Sequence, residues 1–332
     1  MTTQIATWFV ADLAAEASYF PQVGARSDAP ETQAIYWRCA AVFFASSLVA
    51  NPGARHVFYT NSVLPRIDGV DLACLFAQWG VETVHLPISY RLDPAHTDQW
   101  GNQFYVFDVL RDFVERQVDD RLILLDSDCL WLRAVDPLAE AIDRHGALTL
   151  PLGPDEHPAG EPINGVTREQ LARFARRFGE VAGRYLEYCG GEILALNRAA
   201  GASVLRQFDS LWAQVRANAP DAPREEAHLL SVIYALEGFA MGTADPFVRR
   251  LWTTFRHNNL HDADRDLAIW HLPAEKRTGF AELFGRIAAN PGAEPSQLGL
   301  DFETYASAMG WPRRRPAKFV RDAARKLAEK VR

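Results

Sequence analysis

Cysteine is scarce in this chain of 332 residues: Cys39, Cys74, Cys129 and Cys189 stand far apart and form no C-x-x-C pair. Such usage excludes a cysteine zinc site and a disulfide framework, and reads as free thiols in a reducing compartment. An excess of basic charge is also lacking. The net charge of -7 argues against nucleic acid as the main partner, because a phosphate backbone needs a basic face. No basic residue precedes the short apolar run Ile5 to Val10, and Asp12 soon ends it, so no secretory signal is read and a cytoplasmic place is expected. The longest apolar stretch, Cys39 to Ala50, contains Ser46 and Ser47 and is too short to span a bilayer. What is present is 48% apolar, 23% charged and 11% aromatic, an ordinary globular composition in a chain long enough to fold without staples.

The first 150 residues alternate strand-like and helix-like segments. Ile5 to Ala11 predicts a buried strand, Glu31 to Val49 an amphipathic helix and, after Asn51-Pro52-Gly53, Arg55 to Thr60 a second strand. Asp71 to Trp79 predicts a helix, Val81 to Leu86 an extended segment, Gly101 to Gln117 a helix, and Leu122 to Leu125 a short apolar strand ending at Asp126. The alternation predicts an α/β fold with a mostly parallel sheet flanked by helices. Pro151 to Pro162 reads as an exposed loop, and Thr167 with Gln170 as a capping box that opens a helix. Leu186 to Leu196 is extended but broken by Gly190 and Gly191. Helices are expected at Arg198 to Ala217 and Arg224 to Leu236, and a late strand, Leu267 to Leu272, delivers His271.

The end of the chain differs from the rest. Residues 313–332 hold nine Arg and Lys against Asp322 and Glu329, a side-chain charge of +7 that leaves -14 on the remainder. Phe319, Val320, Ala323, Ala324, Leu327 and Val331 recur at helical spacing, so a basic amphipathic helix is predicted. Two readings stay open for it: binding to an anionic membrane surface, or docking of the apolar stripe on the acidic body of this chain or of a second copy.

The segment Arg121-Leu-Ile-Leu-Leu-Asp126-Ser-Asp128 carries the chemistry. Side chains at i and i+2 of an extended chain face the same way, and parallel sheets bind ligands at the carboxyl ends of their strands. Two hard oxygen ligands there suit Mg²⁺ or Mn²⁺ holding a diphosphate. An ordinary Asp-rich turn is the competing reading. His271, likewise, is either a ligand or a hydrogen-bonded histidine at a strand end. Asp12 and Tyr19 are either donor contacts or a loop acid and a core tyrosine; Glu192 and Glu226 are either acceptor-side groups or surface carboxylates.

The stretch Asp126-Ser-Asp128-Cys-Leu-Trp-Leu with Asp136-Pro137-Leu138 resembles the DxD region of GT-A glycosyltransferases of the family-8 type. Asn102 to Leu110, Cys189-Gly190-Gly191-Glu192, Glu225-Glu226-Ala-His228 and Ile269-Trp-His271-Leu-Pro-Ala-Glu-Lys276 resemble, in order, further segments of such enzymes. The resemblance implies a GT-A, Rossmann-like fold and a metal-dependent, retaining, hexosyltransferase-like enzyme. It would move a sugar from a nucleotide-diphosphate donor, expected to be a UDP-sugar, to a glycan or lipid-linked hydroxyl. It further implies a metal site of Asp126, Asp128 and His271, with Asp126 and Lys276 toward the diphosphate and Asp12 or Tyr19 toward base and ribose. Glu192 and Glu226 are the catalytic candidates, and Arg249, Arg250 and Arg256 are further candidates for phosphate. On this reading residues 1–150 bind the nucleotide sugar, 151–311 bind the acceptor and complete the metal site, and 312–332 form the tail. The alternative is a catalytically silent nucleotide-sugar or glycan-binding module at the membrane surface.

Overall fold

The structure, a computed structural model, describes residues 1–93, 99–153, 158, 160–217, 220–238, 242–312 and 316–331. Ten strands build the two sheets that position the site: β1 (Thr3–Phe9), β2 (Arg55–Thr60), β3 (Glu82–His85), β4 (Arg121–Leu125), β5 (Cys129–Trp131), β6 (Ala147–Thr149), β7 (Ile193–Asn197), β8 (Gly242–Thr243), β9 (Val248–Arg250) and β10 (Ile269–His271). The helices are α1 (Pro30–Ala50), α2 (Leu72–Gln78), α3 (Tyr105–Arg116), α4 (Asp136–His145), α5 (Arg168–Ala175), α6 (Arg198–Arg216), α7 (Glu226–Glu237), α8 (Gly279–Ala289), α9 (Phe302–Met309) and α10 (Pro316–Val331).

A seven-stranded sheet runs in the order β8-β6-β7-β4-β1-β2-β3. Its half containing β1 to β4 is parallel, β7 is antiparallel to β4 and β6, and β8 returns to parallel beside β6. This is the mixed, mostly parallel, helix-flanked sheet that the alternation predicts. Successive strands β1, β2 and β3 build outward on one side, and the chain then crosses back through α3 to place β4 on the other side of β1. β1 and β4 therefore flank the point where strand order reverses, and their carboxyl ends open a crevice there. β4 is buried apart from its first residue, as a central strand must be. A second sheet, β9-β10-β5, stands beyond that end and is fed by the strand that follows the Asp126 turn.

Helix α1 extends the apolar stretch seen in the sequence to 21 residues, long and apolar enough by length and composition to cross a membrane. In the fold it is a core helix and not the amphipathic one expected, because Cys39 through Ser47 are buried without a break, on every side of the helix. Trp37 and Phe44 meet Phe58 of β2, and Phe44 also meets Phe76 of α2, with ring centroids between 5.2 and 6.1 Å apart. Its far end is fastened to the β5 segment: the Trp131 N–H donates to Ser46 Oγ at 3.1 Å, and the Val135 N–H to Asn51 Oδ1 at 2.6 Å. The capping box at Thr167 and Gln170 forms as predicted, with bonds of 3.2 and 2.7 Å.

The tail helix begins at Pro316, but its apolar stripe is not the surface that docks. Phe319, Val320 and Leu327 are exposed, with Phe319 edge-on to the equally exposed Phe255 at 4.8 Å. Contact with the body runs instead through the buried Lys318, whose ammonium lies 2.8 Å from both Glu275 and Asp322, and through Arg321 to Glu282 at 2.8 Å. Residues 313–315 and 332 of the basic run, the Val331 side chain, and 154–157 and 159 of the expected loop lie outside the described residues.

His56 on β2 shares a 2.8 Å hydrogen bond with Ser47 of α1 deep in this core. Burial holds its pKa down at about 4, against 6.5 for a free imidazole. The unfolded chain takes up this proton near pH 6.5 and the folded one does not, so the stability tied to neutral His56 is full above that pH and lost as pH falls toward 4. Urea denaturation should show the protein losing roughly 2 to 3 kcal/mol more than His56→Gln between about pH 7.5 and about pH 4.5. Equal losses in the two proteins would remove His56 as the cause.

Candidate active site

Asp126 is the first residue past β4. Its N–H donates to the Glu192 carbonyl at 3.1 Å, and its own carbonyl accepts from the Cys129 N–H at 3.2 Å. The chain is therefore turned, and not extended, across Asp126-Ser127-Asp128, because β5 has to run back to pair with β10. The convergence that i, i+2 spacing predicts is achieved by this turn. Asp128 is sealed in, with 1% of its side chain exposed, while 38% of the Asp126 side chain stays exposed. β10 brings His271 to the same point, pinned by a bond of 3.0 Å from the Leu272 N–H to the Asp128 carbonyl.

Asp126, Asp128 and His271 offer ligand atoms that all lie within 4.8 Å of one another. His271 Nε2 stands 3.2 Å from Asp128 Oδ2 and 3.7 Å from Asp126 Oδ2, yet makes no well-directed hydrogen bond among the described residues; Nδ1 lies 3.2 Å from Glu192. A buried ring nitrogen left without a directed partner and facing two carboxylates fits a divalent cation, and the mixed oxygen and imidazole donor set suits Mn²⁺ or Mg²⁺. Charges hold the cluster together meanwhile. Burial works against a charge on His271, but Asp128 and Glu192 outweigh it and carry its pKa up to about 9. Burial pushes Asp128 up, and Lys276 with His271 more than reverses this, holding it well below the usual carboxylate range. Asp126 is raised to about 6 by burial and then by the neighbouring Asp128 charge.

Lys276 is buried at this cluster. Its ammonium donates to Asp128 and, at 2.8 Å, to Gln22 Oε1, and lies 5.6 Å from the centre of the Tyr36 ring. Of the arginines singled out in the sequence, Arg249 is paired with Asp264 at 2.7 Å and Arg256 is exposed. Arg250 grips Glu192 with two bonds of 2.8 and 2.7 Å.

Asp126, Asp128, His271, Lys276, Glu192 and Arg250 line a cavity of about 570 Å³ that also takes in Trp100, Asn102, Tyr188, Trp252 and Glu226. Glu192 and Glu226 are not surface carboxylates; both are buried. Glycine explains how they come so close to the strand. A Cβ on Gly190 would stand 2.1 Å from Glu192 Oε2, and one on Gly191 would stand 2.1 Å from Glu226 Oε1. Glu226 Oε2 has no hydrogen-bond partner among the described residues, and burial, reinforced by Glu225 and Asp126, pushes its pKa well above the usual range. Glu225 is engaged, accepting from Tyr188 at 2.7 Å and from Asn164 at 3.1 Å.

Asp12 and Tyr19 stand apart from this lining. Asp12 is buried against Arg91 at 2.8 Å and faces a second cavity of about 510 Å³, reaching the first through Asn102, which donates to it at 3.3 Å. Tyr19 lies in a hairpin of Tyr19–Phe20 with Ala25–Arg26 and bridges to Gln99, which does line the first cavity. The sequence reading missed Gln22, Tyr36, Trp100, Tyr188 and Trp252. Tyr36 sits on an apolar helix where nothing local separates a cavity wall from core, and Gln22 has only a turn around it.

No family model matches the chain, and neither does any curated protein. Among solved structures it is similar to an active-site mutant of LgtC, with 12% identity and a TM-score of 0.46 over 81% of this chain and 86% of that one. It is similar also to mouse xyloside xylosyltransferase 1 in its apo form, with 13% identity and a TM-score of 0.46 over 82% and 97%.

Proposed function

We propose that the chain is a metal-dependent glycosyltransferase that moves a sugar, with retention, from a nucleotide-diphosphate donor to a glycan or lipid-linked hydroxyl. One observation carries the reading: Asp126, Asp128 and His271 converge from two sheets at the carboxyl end of the switch-point strand, with Lys276 against them, on a cavity of about 570 Å³. Asp126, Asp128 and His271 would hold Mn²⁺ or Mg²⁺, which when bound supplies Lewis-acid neutralisation of charge on a leaving diphosphate. Lys276 adds a point positive charge beside the same carboxylates. Base and ribose of a UDP-sugar would lie against Asn102 and Gln99, so that Asp12 and Tyr19 act on them from behind this wall and not by direct contact. Glu226 keeps one oxygen without a partner among the described residues, and so is the group that can meet an acceptor hydroxyl.

The experiment is binding of UDP-sugars with Mn²⁺, followed by release of UDP. The matching donor should raise the melting temperature by mass action and be turned over slowly even without acceptor. Asp128→Asn and the more exposed Asp126→Asn should each lower Mn²⁺-dependent donor affinity by about 100-fold or more. Donor binding without any release, with a panel of glycan acceptors present, would favour the silent binding module. Absence of Mn²⁺-dependent binding across the panel would sink both.

We further propose that α10 holds the enzyme peripherally on an anionic, cytoplasmic membrane face, where a lipid-linked acceptor is met. The support is the +7 charge of residues 313–332 beside exposed Phe319, Val320, Leu327 and Phe255. Each Lys or Arg near such a leaflet contributes about 1 kcal/mol, less as salt rises. The full chain should pellet with phosphatidylserine vesicles at low salt and be released at high salt, and a Phe319→Ser, Val320→Ser, Leu327→Ser variant should pellet markedly less. No pelleting of the full chain at low salt removes the membrane role.

A further inference from the structure

Glu192 is one residue ahead of β7, and both its oxygens are spoken for. Oε1 lies 2.8 Å from Arg250 Nε and 3.2 Å from His271 Nδ1, and Oε2 lies 2.7 Å from Arg250 Nη2. Arg250 and His271 are register partners on the parallel strands β9 and β10, so their side chains project from the same face and Glu192 bridges them. The Glu192 carbonyl accepts the Asp126 N–H, which ties the same residue to the turn that carries the two aspartates. Gly190 leaves the space in which the carboxylate lies back against its own strand. A carboxylate sealed from solvent with both oxygens committed is poorly placed to take a proton from an acceptor.

We infer that Glu192 and Arg250 are positioning residues of the metal centre, Arg250 clamping Glu192 and Glu192 fixing the His271 ring so that Nε2 faces Asp126 and Asp128. The inference rests on the metal-site reading above. It gives His271 the oriented tautomer that ligand histidines gain from a carboxylate on their other nitrogen. It also moves Glu192 out of acceptor chemistry.

The test is a double-mutant cycle on Mn²⁺ affinity, read by the electron paramagnetic resonance of free and bound Mn²⁺ without donor or acceptor. Glu192→Gln should weaken Mn²⁺ binding about 10-fold in the otherwise unchanged protein and have no further effect in a His271→Ala background. Because Glu192→Gln takes the Glu192 charge away from Arg250, Glu192→Gln with Arg250→Met, which removes both charges, is measured alongside and should show the same loss. Melting curves confirm that each variant is folded. Mn²⁺ affinity unchanged by Glu192→Gln, or reduced equally in both backgrounds, overturns the inference and leaves the metal site standing. A parent protein that binds no Mn²⁺ removes the metal site and the inference together.

Discussion

A carboxylate withdrawn from water costs several kcal/mol unless a cation or a set of hydrogen bonds meets it. Four acids crowd one end of this sheet, and much of the chain beyond β4 is arranged to answer that cost. The small sheet β9-β10-β5 buries Trp131 and Trp270 in the core, and it also supplies both Arg250 and His271, while the turn after it supplies Lys276. Asp128 is met by Lys276 and His271, and Glu192 by Arg250 and His271. Glu226 keeps a buried oxygen with no partner among the described residues, and favours its neutral form. The same carboxyl group thus plays different parts according to which cation reaches it.

Much of this was legible where the signal is local. The punctuation at Asn51-Pro52-Gly53 and the β-branched and aromatic run after it place β2 at its observed bounds, Arg55–Thr60. Hydroxyl and amide at Thr167 and Gln170 mark a helix start because a capping box needs only four residues. Asp126 and Asp128 stood out because they end a wholly apolar strand, and His271 because it ends another. What stayed hidden depends on residues distant in the chain. β5 is three residues long, too short to show a period, and exists only because β10 is there to pair with it. Arg91 on Asp12, and Arg250 on Glu192, are pairings that no spacing rule announces. A lone basic residue reads equally well as a phosphate contact or as a structural counter-charge; in the fold Arg249 pairs with Asp264, and Arg250 pairs with Glu192 while still lining the cavity.

The tail shows the same division between pattern and placement. Helical spacing of Phe319, Val320 and Leu327 is visible in sequence, and an apolar stripe is ordinarily the face a helix buries. The helix turns it outward because Lys318 has a stronger claim inward: Glu275, one residue before Lys276, is buried and accepts its ammonium at 2.8 Å. Gly310, with φ at +78°, accommodates the Lys318 stem, which lies where a Cβ would be. An ion pair, and not an apolar contact, decides which face of the last helix looks to solvent.

Helix α1 carries a cost that is settled during synthesis. It is an early, long and apolar segment whose covering surfaces come from far along the chain, for its main neighbours besides β1 are β5 and α8. A growing chain therefore displays a helix of membrane-spanning length and composition before residues 129–131 exist to cover one side and well before residues 279–289 cover another. Ser46, Ser47 and Asn51 supply polar groups whose partners, Trp131, His56 and Val135, also arrive later. A chain that ends before these residues lacks the surfaces that cover α1 in the fold, and transiently exposed apolar surface of this kind is what makes folding intermediates prone to aggregate.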